Sequence, residues 1–214
     1  MHIRRTSRDV STEIVLGSID RADLDDLPAS DIIKDAIPFV SPRFRANLLD
    51  FRQGGDHFAK LRDGEDGLHW GIFVENKLIG ITGLDELDDA DGPESYSAIL
   101  DPQSQGKGYG VYAALARTYH GFAVASIERI RSSIDARNPA SLRCVEKLGY
   151  VCLEHVATYG YDRHQLVAYH PSRLIREEDI ARVPLHQGSW QTAQSDSAAA
   201  IERAEKSFTY REII

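Results

Sequence analysis

Cysteine is scarce: only Cys144 and Cys152 occur, and they form no metal-binding spacing. That excludes a disulfide framework and a zinc knuckle, and two reduced thiols suit a cytoplasmic protein. Long apolar runs are missing too. None approaches the roughly 18 residues of a membrane span. The basic N-terminus, Met1 to Asp9, has no apolar stretch behind it, so no signal peptide is expected. Positive charge is in deficit. Lys and Arg number 25 against 33 Asp and Glu, for a net charge of −8. This argues against a nucleic-acid-binding body and is compatible with a cationic amine as partner. The eight histidines show no paired ligand spacing, so no metal is expected.

What is present centres on Gln105-Gly106-Lys107-Gly108-Tyr109-Gly110. An apolar run, Tyr96 to Leu100, and an Asp101-Pro102 stop precede it, and an amphipathic run, Val111 to Ser126, follows. The order is strand, glycine turn, helix. Glycines let the backbone turn sharply and approach a ligand closely. The unpaired N–H groups of the helix start then face outward at the positive end of its dipole, a geometry that receives phosphate. The spacing matches neither a P-loop nor the dinucleotide fingerprint. On these residues alone, a ligand-free glycine turn stays open.

A second stretch joins it: Asn138, Ser141, Glu146, Lys147, Gly149 and Tyr150 within residues 138–150. Together the two resemble the GCN5-related N-acetyltransferase (GNAT) superfamily over roughly residues 12–170. The second block resembles the branch that acetylates ribosomal-protein N-termini and various small amines. The resemblance implies an α+β fold with a central mixed, mostly antiparallel sheet flanked by helices. Two parallel strands, ending at Leu100 and Ala136, would splay apart at the acyl-CoA site. It implies acetyl-CoA as co-substrate, with its pyrophosphate on Gln105, Gly106, Lys107, Gly108, Tyr109 and Gly110. The pantetheine arm would pair with backbone near Ile99, Leu100 and Asp101. Asn138, Ser141 and Arg143 would supply further contacts.

The chain in order supports such a layout. Residues 12–16 read as a strand. Ser41-Pro42 opens a helix bearing Phe44, Leu48 and Phe51, whereas three prolines across 28–42 argue against one long helix there. Residues 68–74 and 77–84 form a hairpin around Glu75-Asn76. Residues 85–92 form an acidic loop, either solvated or a lip that attracts an amine. The helix beyond the glycine loop carries Tyr112, Leu115, Tyr119 and Phe122 on one stripe, and Gly121 bends or ends it. Residues 129–136 alternate as a strand. Asn138 caps the next helix and Gly149 ends it. A final hairpin spans 150–156 and 165–169 around Gly160-Tyr161-Asp162. The acetyltransferase domain is expected over 1–170 and an extension over 171–214. Within the extension, 191–197 is polar and low in complexity, and 198–208 forms a marginal helix. That helix would pack on the domain or on a second copy, leaving a homodimer open.

The expected reaction is attack by a primary amine, of a protein N-terminus or a small molecule, on the thioester carbonyl in a ternary complex. Many members of the family carry a tyrosine acid seven residues after the block's asparagine; here Val145 stands there. In the matching branch the role falls to the serine, here Ser141, with Tyr150, Tyr159 and Tyr161 as rivals. Glu86 and Glu94 are the candidate bases. The absent tyrosine keeps a non-catalytic acyl-CoA sensor, or an interaction protein on the same fold, as the alternative.

Overall fold

The structure, a computed structural model, describes residues 2–6, 11–65, 67–158, 161–183 and 187–209. The elements are β1 (His2–Thr6), β2 (Ser11–Gly17), α1 (Ser30–Ala36), α2 (Pro42–Gln53), α3 (Asp56–Asp63), β3 (Gly67–Val74), β4 (Lys77–Asp85) and β5 (Glu94–Ile99). There follow α4 (Tyr109–Tyr119), β6 (Arg129–Asp135), α5 (Pro139–Glu146), β7 (Val151–Thr158), β8 (Tyr161–Tyr169), α6 (Glu177–Arg182), α7 (Gln187–Ser207) and β9 (Phe208–Thr209). The strands form one sheet in the order β7-β8-β6-β5-β4-β3-β2-β1-β9. Every neighbouring pair is antiparallel except β5 and β6. The expected mixed, mostly antiparallel sheet flanked by helices is therefore what forms.

Residue pattern explains the layers. β4 is buried without interruption from Leu78 to Leu84 because helices cover both of its faces. One face carries α1 to α3, where Ile33, Leu48, Phe51, Phe58 and Leu61 pack on Ile81, Ala98 and Leu100. The other carries α4, α5 and α7, where Ala114, Leu115 and Phe122 meet Ile130, Ile134, Ala200 and Ala204. Ser41 caps α2 by accepting the Phe44 N–H, as its spacing from Pro42 requires. Glu75 and Asn76 both have positive φ, 53° and 62°, the backbone of a two-residue hairpin turn.

Between Pro28 and Pro38 only a short helix, α1, forms, in keeping with the absence of one long helix. Several boundaries differ from expectation. α4 stops at Tyr119 and widens into one π-helical turn, His120–Val124. There a Cβ on Gly121 would lie 2.9 Å from the end of the Ile130 side chain, so glycine lets the turn press onto β6 without displacing it. β8 already begins at Tyr161, and residues 159–160 of the expected turn lie outside the described residues. The stretch read as low in complexity, 191–197, lies inside α7. Its polar look is misleading because the buried side of α7 is made of small residues: Ala193, Ser197, Ala200 and Ala204, together with Trp190. They are spaced alternately by three and four, one stripe of a helix.

Candidate functional site

The parallel pair β5–β6 makes one register match, Glu94 with Arg131, and the Arg131 N–H donates to Pro93 O at 2.8 Å. Beyond that point no pairing continues among the described residues, and the strands diverge toward their C-terminal ends. Crevices outside the carboxyl ends of parallel strands are where open sheets bind ligands. The glycine loop follows β5 and the Asn138 cap follows β6, so both border the same opening.

The loop is built for a backbone-lined anion site. Gly106 and Gly108 have φ of 71° and 84°, the left-handed region open to glycine. Gly108 is the N-cap of α4, and Tyr109 anchors the first turn in a core with Ile14, Leu16 and Ile79. Gly110 faces outward, and a Cβ there would meet only the Ile99 side chain, at 3.8 Å. The loop is held from below: Gln105 Nε2 donates to Ile99 O at 3.0 Å. Asp101 accepts from the Gln103 N–H at 3.1 Å and from Ser104 Oγ at 2.7 Å.

These bonds refine the expected pantetheine contacts. The N–H groups of Leu100 and Asp101 both donate to Ile79 O, at 2.8 and 3.1 Å. They are therefore not the edge that a ligand would extend, and Asp101 is a loop cap. Because strand groups alternate in direction, Ile99 and Ser97 turn their backbone toward the gap instead. Ser97 was not among the expected residues. Across the gap, Asn138 Oδ1 accepts the Ser141 N–H at 3.1 Å, which makes Asn138 a helix cap with Ser141 at the third helical position. Ser141 is half-buried and Arg143 is exposed.

Glu86, Glu94, Ser141 and Tyr150, expected as catalytic, are scattered. Tyr150 is 4% exposed, and its hydroxyl lies 3.4 Å from Thr118 Oγ1 in the core beneath α4. It is a packing residue, which corrects its reading as a possible acid. Glu86 sits in the acidic loop, 3.1 Å from the Arg131 guanidinium, at the closed end of the strand pair. Asp89 joins the same arginine at 2.8 Å, while Asp91 pairs with Arg176 at 3.0 Å. Glu86, Asp89 and Asp91 are thus taken up by internal ion pairs, and Glu86 is no free base. Glu94 is different. It stands where the strands part, half-buried, and burial holds its carboxyl above the usual range despite a hydrogen bond from Ser133.

Sequence reading missed the surroundings of Glu94. Glu94 and Asp85 are direct cross-strand partners, and so are Tyr96 and Gly83, and Gly83 and His69. A Cβ on Gly83 would lie 2.7 Å from Tyr96 Oη and 2.8 Å from His69 Nδ1. The missing side chain leaves room for His69 and Tyr96 to hydrogen-bond across it, at 2.9 Å. Asp85 Oδ1 is 3.5 Å from the same His69 nitrogen. Burial, then Asp85, pushes the Tyr96 phenol well above its ordinary value, so it stays protonated. Phe44 of α2 packs edge-on to Tyr96 at 5.4 Å, which places this cluster on the α1–α3 face. Only a glycine directly between a histidine and a tyrosine on adjacent strands could have signalled it, and that requires the register. On the opposite face Arg117, 2% exposed, donates to Tyr96 O at 2.6 Å and to Ser97 Oγ at 2.8 Å.

Among the described residues no group of three or more His, Cys, Asp or Glu could hold a metal ion. Among them also, no helix is long and apolar enough to cross a membrane. The family description "Acetyltransferase (GNAT) domain" matches residues 14–151. No curated protein matches the chain. Solved structures with the same fold include mutant forms of the spermidine/spermine N-acetyltransferase SpeG of Vibrio cholerae. That match has 19% identity, 73% of this chain and 93% of that one covered, and a TM-score of 0.56. The spermidine N-acetyltransferase of the same organism in complex with CoA and spermine matches at 16% identity, with coverage of 73% and 95% and a TM-score of 0.55. Its dodecameric form in an intermediate state matches at 18%, with coverage of 73% and 93% and a TM-score of 0.54.

Proposed function

Since this chain belongs to the GNAT acetyltransferase family and is an acyl-CoA-dependent N-acetyltransferase, we propose that it acetylates a primary amine carried by a small cationic molecule. The amine attacks acetyl-CoA directly while both substrates are bound. The observation that carries this reading is the facing pair Asp85 and Glu94, two carboxylates at the point where β5 and β6 part. A protonated amine is drawn to two adjacent carboxylates. Glu94, with its raised pKa, then takes the proton that the amine must lose before attack. The diverging strands would hold the pantetheine arm against Ser97 and Ile99 by sheet extension. Gly106, Gly108 and the first amides of α4 would hold the pyrophosphate.

The solved structures that share the fold are described as spermidine acetyltransferases, one with spermine bound. This supports a polyamine as the first acceptor to try. The Asn138–Tyr150 block supports instead the branch acting on ribosomal-protein N-termini, whose acceptor is also an amine. Thiol release from acetyl-CoA, measured with spermidine, spermine, short diamines and N-terminal peptides, separates the two. Turnover on polyamines or diamines bears out the small-cation reading, and turnover on peptides alone moves the chain to the N-terminal branch. Coenzyme A binding with no thiol release on any amine overturns both.

A further inference from the structure

We propose that Ser97, polarised by the buried guanidinium of Arg117, holds the sulfur of the thioester and stabilises the coenzyme A thiolate as it leaves. The proposal rests on the acetyl-transfer reading above and assigns the leaving-group role that Val145, a core residue 4% exposed, cannot fill.

Three observations lead there. The first is a buried cation with no anion. Arg117 has the largest side chain among those fully buried, and among the described residues no ion pair includes it. Among the described residues its donors reach neutral oxygens: Tyr96 O, Ser97 Oγ and, at 3.4 Å, Thr82 Oγ1. Among them too, its Nε has no partner. A buried charge is costly unless it is compensated, and a thiolate formed beside it would compensate it.

The second is exposure where a central strand should have none. Ser97 lies on an inner strand of the sheet, yet it is exposed. Its backbone borders the gap, and its side chain points to the α4 face, where Arg117 reaches it. The third is the direction of the hydrogen bonds. Thr82 Oγ1 gives its one proton to Tyr96 O at 2.9 Å. In its 2.7 Å contact with Ser97 Oγ it must therefore accept. Arg117 donates into the Ser97 oxygen, so the serine's own proton lies on Thr82 Oγ1 in this state, and a thiolate, as a charged acceptor, draws it away from that neutral one. Rotation about Cβ–Oγ aims it into the gap, where the guanidinium behind it makes the hydroxyl a stronger donor.

The depth fits. A strand rises about 3.3 Å per residue, so Ser97 lies roughly 7 Å inward from Ile99 and roughly 10 Å short of Glu94. The faces fit as well. Glu94 and Tyr96 point to the α1–α3 side and Ser97 to the α4 side, so the amine arrives on one face and the sulfur departs toward the other. In the step itself the neutral amine, its ammonium proton already lost to Glu94, bonds through nitrogen to the carbonyl carbon and sheds its second proton to solvent. The carbon–sulfur bond breaks with its electron pair on sulfur. The thiolate accepts the Ser97 hydrogen bond and later takes a proton from solvent.

The test is steady-state kinetics of Ser97→Ala, Ser97→Thr, Arg117→Met and Ser97→Ala/Arg117→Met, with Ser141→Ala alongside. Ser97→Ala and Arg117→Met should each lower kcat about tenfold to a hundredfold, with KM for the amine unchanged. The double variant should lose little more than either single one, because the two act as a unit. Ser97→Thr keeps the hydroxyl and should restore most of kcat. Arg117→Met puts an apolar chain in place of a buried charge, a change that folds often accept; if it does not fold, the serine variants decide. A binding arm needs no turnover. Wild type should prefer coenzyme A over desulfo-coenzyme A in calorimetry, and Ser97→Ala should lose that preference. If wild type shows the preference but no thiol release on any amine, the acetyl-transfer reading fails while the sulfur site stands. Full kcat together with an unchanged thiol preference in Ser97→Ala, or a loss confined to Ser141→Ala, overturns the proposal.

Discussion

Glu94 carries a testable pH signature. Burial favours its neutral form, so it ionises above the usual glutamate value of about 4.3, although Ser133, Arg131 and Arg163 pull the other way. A base must be ionised, so kcat/KM should fall on the acid side with a midpoint above that of an ordinary carboxylate. Glu94→Gln should abolish this limb and lower kcat about a hundredfold or more; a limb that survives the substitution assigns it to another group. The same shift bears on stability in a definite sense. A raised folded pKa contributes stability below the unfolded value, and that contribution is lost as pH rises through the folded one. Glu94→Gln should therefore leave the melting temperature unchanged or higher at neutral pH. The glycine loop separates strain from binding. Gly108 has φ +84°, so any side chain there strains the backbone by about 1–3 kcal/mol. Gly110 lies inside α4, where a Cβ meets nothing closer than 3.8 Å. Gly110→Asp adds a negative charge at a helix N-terminus, which favours the helix itself but repels pyrophosphate. Coenzyme A affinity should drop at least about tenfold, or about 1.4 kcal/mol, with a normal melting curve. Unchanged affinity in calorimetry would falsify the loop as the phosphate site.

At the scale of elements, the turn after α5 lies hard against α7. Gly149 has φ +82° after the end of α5, as its capping position suggests. The backbone angle is only half of the constraint. A Cβ on Gly149 would lie 2.3 Å from Ala193 O and 2.2 Å from Ser197 Oγ, and Ser197 donates to Leu148 O at 3.1 Å. α7 thus lies directly on this turn, and small residues on both sides permit it. Gly149→Ala should cost about 2–4 kcal/mol from strain and overpacking together, read as a lower urea midpoint. An unchanged midpoint would mean that α7 sits elsewhere in solution.

At the scale of the molecule, residues after Pro171 are tied to the sheet by a buried network. Arg129 Nε and Nη2 donate to the two Asp179 oxygens at 2.9 and 3.2 Å, and the Tyr169 hydroxyl donates to Asp179 at 2.6 Å. Asp179 is 1% exposed. Asp179→Ala would leave Arg129 buried without this partner and should cost about 3–5 kcal/mol, measured by denaturant unfolding. Burial, then Asp179, pushes Tyr169 up to about 12. Its contribution to stability is therefore complete below the unfolded tyrosine value near 10 and is lost as pH rises toward about 12. Tyr169→Phe should flatten the alkaline side of the unfolding profile. Truncation after Val183 removes Trp190, Ala200 and Ala204 from two cores. It should lower the melting temperature by several degrees, and an unchanged value would make α7 dispensable to the fold.

The sequence by itself determined what short-range rules control. The glycine loop between strand and helix, the Ser41 and Asn138 caps and the Glu75-Asn76 hairpin all follow from residue type and spacing within about a dozen positions, whereas the parallel strand pair was implied only by the family resemblance. The family follows from the same two motifs. Tertiary structure alone decided which chemistry meets. His69, Gly83 and Tyr96 become neighbours only through strand register, because a one-residue slip would turn each side chain to the other face. Arg117 looks like one more helix cation until α4 is laid under Ser97. Glu86 and Glu94, alike as acidic residues, part company because one lands on Arg131 and the other on a half-buried strand end. The α7 helix was obscured for a related reason: alanines and serines carry little hydrophobic signal alone, and their value lies in the close approach that they allow.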